Sequence, residues 1–138
     1  MNRKELQELS RIRVREARCL LRTGFPAGAY YLVGYAVECA LKACVAKQIK
    51  KHDFPDKKLV ADSYTHDLVK LLSLSGLKAD LENETSTNQS LERNWAVVKD
   101  WSEETRYSVT ISKNKAQDLF NACQSQPNGI LRWLKTRW

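Results

Sequence analysis

The chain has 138 residues, 43% hydrophobic and 28% charged, and its 23 Lys and Arg outnumber 16 Asp and Glu to give a net charge of +7. That length makes one domain able to bury a core without disulfides or metal, the hydrophobic share excludes disorder, and the basic excess points to nucleic acid or an acidic protein as partner. No apolar run reaches the roughly 20 residues that cross a bilayer, and Met1-Asn-Arg-Lys-Glu-Leu-Gln-Glu-Leu9 has no apolar signal core, so a cytoplasmic protein without a membrane partner is expected.

A first helix is predicted from about Arg3 to Arg22, ending at Gly24. At about 100° per residue, Arg11, Arg15, Arg18 and Arg22 form one stripe, with Leu6, Leu9, Val14, Ala17, Leu20 and Leu21 on the opposite side. Pro26 opens a second helix in its first turn, where the missing N–H costs nothing. This helix continues to about Lys50 and is apolar almost all round, which marks an element at the centre of a fold. One polar seam crosses it, formed by Tyr31, Tyr35, Glu38 and Lys42.

Lys51 to Lys58 reads as a polar loop containing Pro55. A third helix follows Thr65 as N-cap and runs through His66-Asp-Leu-Val-Lys-Leu-Leu-Ser-Leu74 to Gly76. A short helical turn covers Leu77 to Leu81, and Glu84 to Ser90 reads as loop. The fourth helix places Leu91, Trp95, Val98, Ser102 and Thr105 on one face, with Trp101 beside them. Ser108 to Ile111 is an extended connector. A fifth helix begins near Ser112, with Ala116, Leu119, Phe120 and Cys123 inward. Pro127-Asn-Gly129 interrupts it, while Ile130, Leu131 and Leu134 keep its phase, which predicts a kink or two nearly collinear pieces. Nothing alternates at period two. The expected fold is all-α, an up-and-down antiparallel bundle of four main helices with short extra helices, in a single domain over 1–138.

Cys19, Cys39, Cys44 and Cys123 form no C-x-x-C pair, so zinc and redox motifs lack their spacing. No metal and no cofactor is expected. A buried Glu38 or Lys42 needs a partner, because an unsatisfied buried charge costs several kcal/mol. The two fit either an i, i+4 ion pair covered by the bundle or a set facing a ligand or RNA. Tyr31 and Tyr35 fit either core and interface packing or base stacking. The arginine stripe has no acidic i+4 partner within it; it reads as a solvated face or a nucleic-acid contact. Trp133 and Trp138, near a basic C-terminus, exceed what a thin four-helix core needs and suggest a homodimer.

Four stretches together resemble a known family. They are Arg18-Cys-Leu-Leu21, the run Ala29-Tyr-Tyr31 through Tyr35-Ala-Val-Glu-Cys-Ala-Leu-Lys42, His66-Asp-Leu-Val-Lys-Leu-Leu72, and Trp101-Ser-Glu-Glu-Thr-Arg-Tyr107. In this order they are similar to the HEPN domain (higher eukaryotes and prokaryotes nucleotide-binding), over Glu5 to Trp138, with the Glu38–Lys42 pattern the most specific part. The resemblance implies a helical bundle, frequently dimeric, often encoded beside a nucleotidyltransferase or in toxin–antitoxin and phage-defence systems. Many members are metal-independent ribonucleases carrying Arg-x4–6-His, in which histidine exchanges protons with the ribose 2′-hydroxyl and arginine stabilises the phosphorane-like charge.

This chain departs from that motif. Its histidines are His52 and His66, and no arginine precedes either at the required spacing; Lys47-x4-His52 is a formal near-match with the wrong cation. The primary expectation is therefore a dimeric module that binds nucleotide, RNA or a partner protein through the seam of Tyr31, Tyr35, Glu38 and Lys42, without intrinsic ribonuclease activity. The alternatives are a divergent ribonuclease using Arg106 with Tyr107 or His66, and a structural subunit that pairs with a nucleotidyltransferase or antitoxin protein. Arg106 and Tyr107 fit either a buttress for Glu38 or a phosphate contact. His66 lies in a separate helix, and nothing in its spacing brings it to the seam.

Overall fold

Asn2 starts the first helix. Its side chain accepts a hydrogen bond from the Glu5 amide at 2.9 Å, and the Glu5 carboxylate accepts one from the Asn2 amide at 2.8 Å, the reciprocal capping box. In this computed structural model, which describes residues 1–49 and 53–138, the helix α1 spans Arg3–Thr23 and ends at Gly24. Gly24 has φ +86°, a left-handed conformation that costs glycine nothing because it has no β-carbon. Pro26 then opens α2, Pro26–Gln48, after a turn of two residues. The short turn makes α1 and α2 an antiparallel hairpin, and no other two helices touch so extensively. At their crossing the Ser10 hydroxyl donates to the Ala36 carbonyl at 2.8 Å, so a buried polar side chain is satisfied and the pair is pinned.

The remaining elements wrap α2. They are α3 (Lys57–Asp62), α4 (Leu68–Leu74), α5 (Lys78–Thr85), α6 (Gln89–Val98), a 3₁₀ turn (Glu103–Tyr107), α7 (Lys113–Gln124) and α8 (Ile130–Lys135). α7, α4, the 3₁₀ turn and α8 all pack directly on α2, and α6 packs on α7. Val33, Ala36, Val37, Ala40 and Leu41 are wholly shielded from solvent. The fold is an all-α helical bundle with α2 at its centre, and no strand occurs among the described residues.

Several local expectations are corrected. By length and composition α2 does pass as a membrane-crossing helix, contrary to the reading of the apolar runs, although 72% of its most apolar window is buried inside the bundle. α3 begins at Lys57, within the end of the expected Lys51–Lys58 loop, and runs on through a stretch with no expected element, because the Asp56 side chain accepts from the amides of Lys58 and Leu59 and caps it. Asp67, not Thr65, caps α4: its carboxylate accepts from the Lys70 amide at 3.0 Å, while the Thr65 hydroxyl accepts from Asp67 itself. His66 is thereby left on the segment leading into α4. α5 extends to Thr85, so the expected Glu84–Ser90 loop shrinks to the few residues before Asn88, which caps α6.

α6 stops at Val98, so Ser102 and Thr105 are not on its face. Ser102 instead caps the 3₁₀ turn. After the break at Pro127, α8 is a separate helix packed against α7 and α2. Trp133 is buried in the bundle and Trp138 is half-buried beneath the Arg11 guanidinium, 5.0 Å from its ring centre. Those two aromatics therefore serve their own chain's core. The expected end of the second helix at Lys50, the start of the following loop at Lys51, and His52 lie outside the described residues.

Candidate functional site

Glu38 faces the interior from the middle of α2 and is only 2% exposed. One turn later on the same face, Lys42 places its Nζ 2.9 Å from Glu38 Oε1. The ion pair foreseen from the i, i+4 spacing forms. A second partner comes from a distant part of the sequence: Nδ1 of His66 stands 2.9 and 3.0 Å from the two Glu38 oxygens. The other ring nitrogen, Nε2, lies 2.9 Å from Oε2 of Glu103, the first residue of the 3₁₀ turn. A continuous chain Glu38–His66–Glu103 thus ties α2, the entry to α4 and the 3₁₀ turn together.

Local sequence explains why the three meet. The Asp67 cap fixes where α4 begins and so where His66 leaves the backbone. Trp101 packs on Gly34 of α2, and two residues further Glu103 follows from that anchor. A neutral imidazole carries one N–H and donates to one carboxylate only, whereas an imidazolium donates to both. Glu38 holds the ring in one orientation, the arrangement that suits a histidine for proton exchange at its other nitrogen. Half of His66 remains exposed, on a cavity of about 450 Å³ also bordered by Thr65, Asp67, Lys99, Trp101 and Ser102.

Beside this chain runs a row of aromatic rings. Tyr35 and Tyr31 stack with centroids 6.1 Å apart, and Tyr31 and Trp101 repeat that spacing. Arg13 lies 5.8 Å over Tyr35. Burial raises the Tyr35 pKa, with Cys39 and Glu38 adding to it. Tyr31, Tyr35, Glu38 and Lys42 are therefore one locus, as the sequence suggested, with His66 and Trp101 completing it. Trp101 Nε1 is buried and has no hydrogen-bond partner among the described residues.

Arg106 does not buttress Glu38, because His66 already fills that position. It is exposed, with its guanidinium 4.7 Å over the Tyr107 ring, and its pKa is raised, chiefly by Tyr107. Tyr107 is exposed as well.

The arginine stripe forms a second surface. Arg11, Arg15 and Arg18 line a groove of about 390 Å³ whose other wall includes Lys135 of α8 and Gln124 at the end of α7. Arg22 is not part of it. Glu8, which is not one of the four stripe positions, pairs with Arg11 at 3.4 Å and Arg15 at 3.5 Å, at spacings of three and seven residues rather than four. Arg18 lies 5.6 Å over Phe120 and Arg11 over Trp138, so aromatic faces hold two of the guanidinium groups. The Lys135 pKa is lowered, first by burial and then by Arg11, Arg132 and Arg18. Positive charge is crowded here. Lys135 and Arg132 were missed in the sequence because they stand more than a hundred residues from the stripe, and only a generally basic C-terminus hinted at them.

Among the described residues no group of three or more His, Cys, Asp or Glu is arranged to hold a metal ion. In the Glu38–His66–Glu103 chain the imidazole lies between the carboxylates, so the three do not converge on one point. Cys39, Cys44 and Cys123 are buried thiols and Cys19 is exposed. Compared with protein-family models, with curated proteins and with solved structures, the chain matches none.

Proposed function

We propose that this chain is a HEPN-type module that binds RNA along the groove between α1 and α8, acting in the cytoplasm in a toxin–antitoxin or phage-defence setting. One observation carries the reading: Arg11, Arg15 and Arg18 converge with Lys135 on a single groove in which Glu8 is the one carboxylate among the described residues. Along α1 these arginines rise by about 6 and 4.5 Å, given 1.5 Å per residue. Successive phosphates of an extended strand are spaced on that scale. Crowded cations that depress a lysine gain most from an anion that neutralises them, and release of counterions from RNA adds to the drive. In this reading the Glu38–Lys42–His66 cluster holds α2, α4 and the 3₁₀ turn together.

The test is fluorescence anisotropy with a labelled single-stranded RNA over a range of salt concentrations. Three or four phosphate contacts should give a log–log slope of about −2 to −3. Changing Arg11, Arg15 and Arg18 to Glu should flatten the slope and weaken binding. Binding unchanged by those reversals would remove the groove from the reading.

The held imidazole favours a second reading, a metal-independent ribonuclease. His66 Nε2 would exchange the proton of a ribose 2′-hydroxyl while Glu38 orients the ring and Arg106 supplies positive charge. Glu103 occupies Nε2, so substrate would have to displace it. Cleavage of RNA in chelator, lost in His66→Ala and in Arg106→Ala, would establish this enzyme over the binding module.

A further inference from the structure

Lys135 does not belong to the groove alone. It also lines a cavity of about 580 Å³ together with Arg132, Arg137, Trp133 and Asn128. Both arginines at this cavity are held by neutral groups. Arg132 donates through Nε to the Gln124 carbonyl at 3.0 Å, and with the Gln126 amide turned so that its oxygen faces the guanidinium, the terminal nitrogens donate to that oxygen at 3.1 and 2.6 Å. Arg137 stacks 3.8 Å over the Trp133 ring and donates to the Trp133 carbonyl and the Thr136 hydroxyl. Neither arginine nor Lys135 is in an ion pair among the described residues.

The one carboxylate in the cavity wall among the described residues, Glu84, accepts a hydrogen bond from Trp133 Nε1. Asn128 is fixed by its acceptors: its side-chain oxygen takes the Asn88 amide at 2.9 Å and its carbonyl takes the Asn94 amide at 2.8 Å. The Asn128 Nδ2 donors have no partner among the described residues. Donors and cations thus outnumber acceptors around this space, and the ligand that fits is a compact anion with several acceptor oxygens.

We infer that the cavity bordered by Arg132, Lys135, Arg137 and Asn128 takes a phosphomonoester, supplied by the terminal phosphate of a strand lying in the α1–α8 groove. The inference rests on the RNA-binding reading above. A phosphomonoester carries about −1.5 to −2 charge near neutral pH and three terminal oxygens, against one charge for each internal phosphodiester. Guanidinium groups pair with such oxygens in a planar, two-pronged geometry. Lys135, shared by groove and cavity, joins the internal phosphates to the terminal one.

The experiment uses the full chain and one RNA sequence prepared with a 5′-phosphate, with a 3′-phosphate, or with hydroxyls at both ends. One phosphorylated form should bind at least about tenfold more tightly than the hydroxyl form, a gain of the size expected for charge-assisted hydrogen bonds. Asn128→Asp keeps the acceptor that holds Asn88 and adds a negative charge, so it should erase the preference while leaving the hydroxyl form bound as before. Arg15→Glu should weaken all three forms together.

Equal binding of the three forms by wild type would overturn the inference and leave the groove intact; no binding of any form would overturn the RNA reading itself. A second arm measures thermal unfolding with a nucleoside 5′-monophosphate alone. Stabilisation that Asn128→Asp removes, without any preference among strand ends, would assign the phosphomonoester chemistry to a free nucleotide and overturn the strand end as its source.

Discussion

The indole of Trp101 occupies the space that a β-carbon on Gly34 would need: its Nε1, Cδ1 and Cε2 would lie 2.1, 2.2 and 2.2 Å from that carbon. Because Glu103 follows two residues after Trp101, the bare backbone at Gly34 sets how the 3₁₀ turn approaches His66. Gly34→Ala should force the indole away and cost about 1–3 kcal/mol, the range for overpacked cores. Gly28→Ala meets only the end of the Leu20 side chain, at 3.1 Å, and gains helix propensity, so it should cost far less. Urea denaturation of the two variants checks this; equal stability would mean that Trp101 is free to move.

Glu38 depends on two donors. Lys42→Met or His66→Ala leaves the buried carboxylate short of one, at about 1–3 kcal/mol each. Glu38→Met combined with Lys42→Met removes both charges and should lie closer to wild type than either single change that strands a charge. A double variant as unstable as the sum of its singles would show the pair to be uncoupled.

Alkaline pH should destabilise the fold through its buried thiols. Burial pushes Cys39 from 9.0 up to about 12 and Cys44 up to about 11, and raises Cys123 further. Above about pH 9 the unfolded chain releases these protons while the folded chain keeps them. The folded state then binds more protons, so stability is complete below the unfolded value and falls as pH rises toward the folded ones, by up to about 1.4 kcal/mol per unit for each thiol. Denaturation between about pH 8 and pH 11 should show this fall, with a shallower slope in Cys123→Ala. An unchanged slope would show that this thiol does not contribute.

Position along the stripe should grade the effect on RNA. Arg22 shares the α1 face but lies beyond the groove, whereas Lys135 is in its wall. Lys135→Glu should therefore weaken binding more than Arg22→Glu when both are titrated at the same salt concentration. The reverse order would move the contact to the end of α1.

Self-association is expected through exposed apolar side chains, among them Phe25, Tyr64, Tyr107 and Val109, now that Trp133 and Trp138 are accounted for within the bundle. Light scattering should give about twice the 15.9 kDa chain mass at tens of micromolar. A mass of one chain would rule the dimer out.

What the sequence determined by itself was local. Gly24 and Pro26 mark the α1–α2 turn because one tolerates positive φ and the other fits a first helical turn. Apolar residues all round α2, apart from one narrow polar seam, required its burial, and four-residue spacing on that seam allowed Glu38 and Lys42 to pair. Ser, Thr, Asn and Asp are too common between Asp53 and Ser112 for the caps to be chosen from spacing alone. Asp56, Asp67, Asn88 and Ser102 took those roles, and each choice moved a helix boundary. Only the tertiary structure brought His66 to Glu38 across 28 residues and set Lys135 beside Arg11, Arg15 and Arg18. Both contacts depend on how short helices pack around α2, and the energy of that packing is summed over many weak contacts with no periodic trace in the sequence.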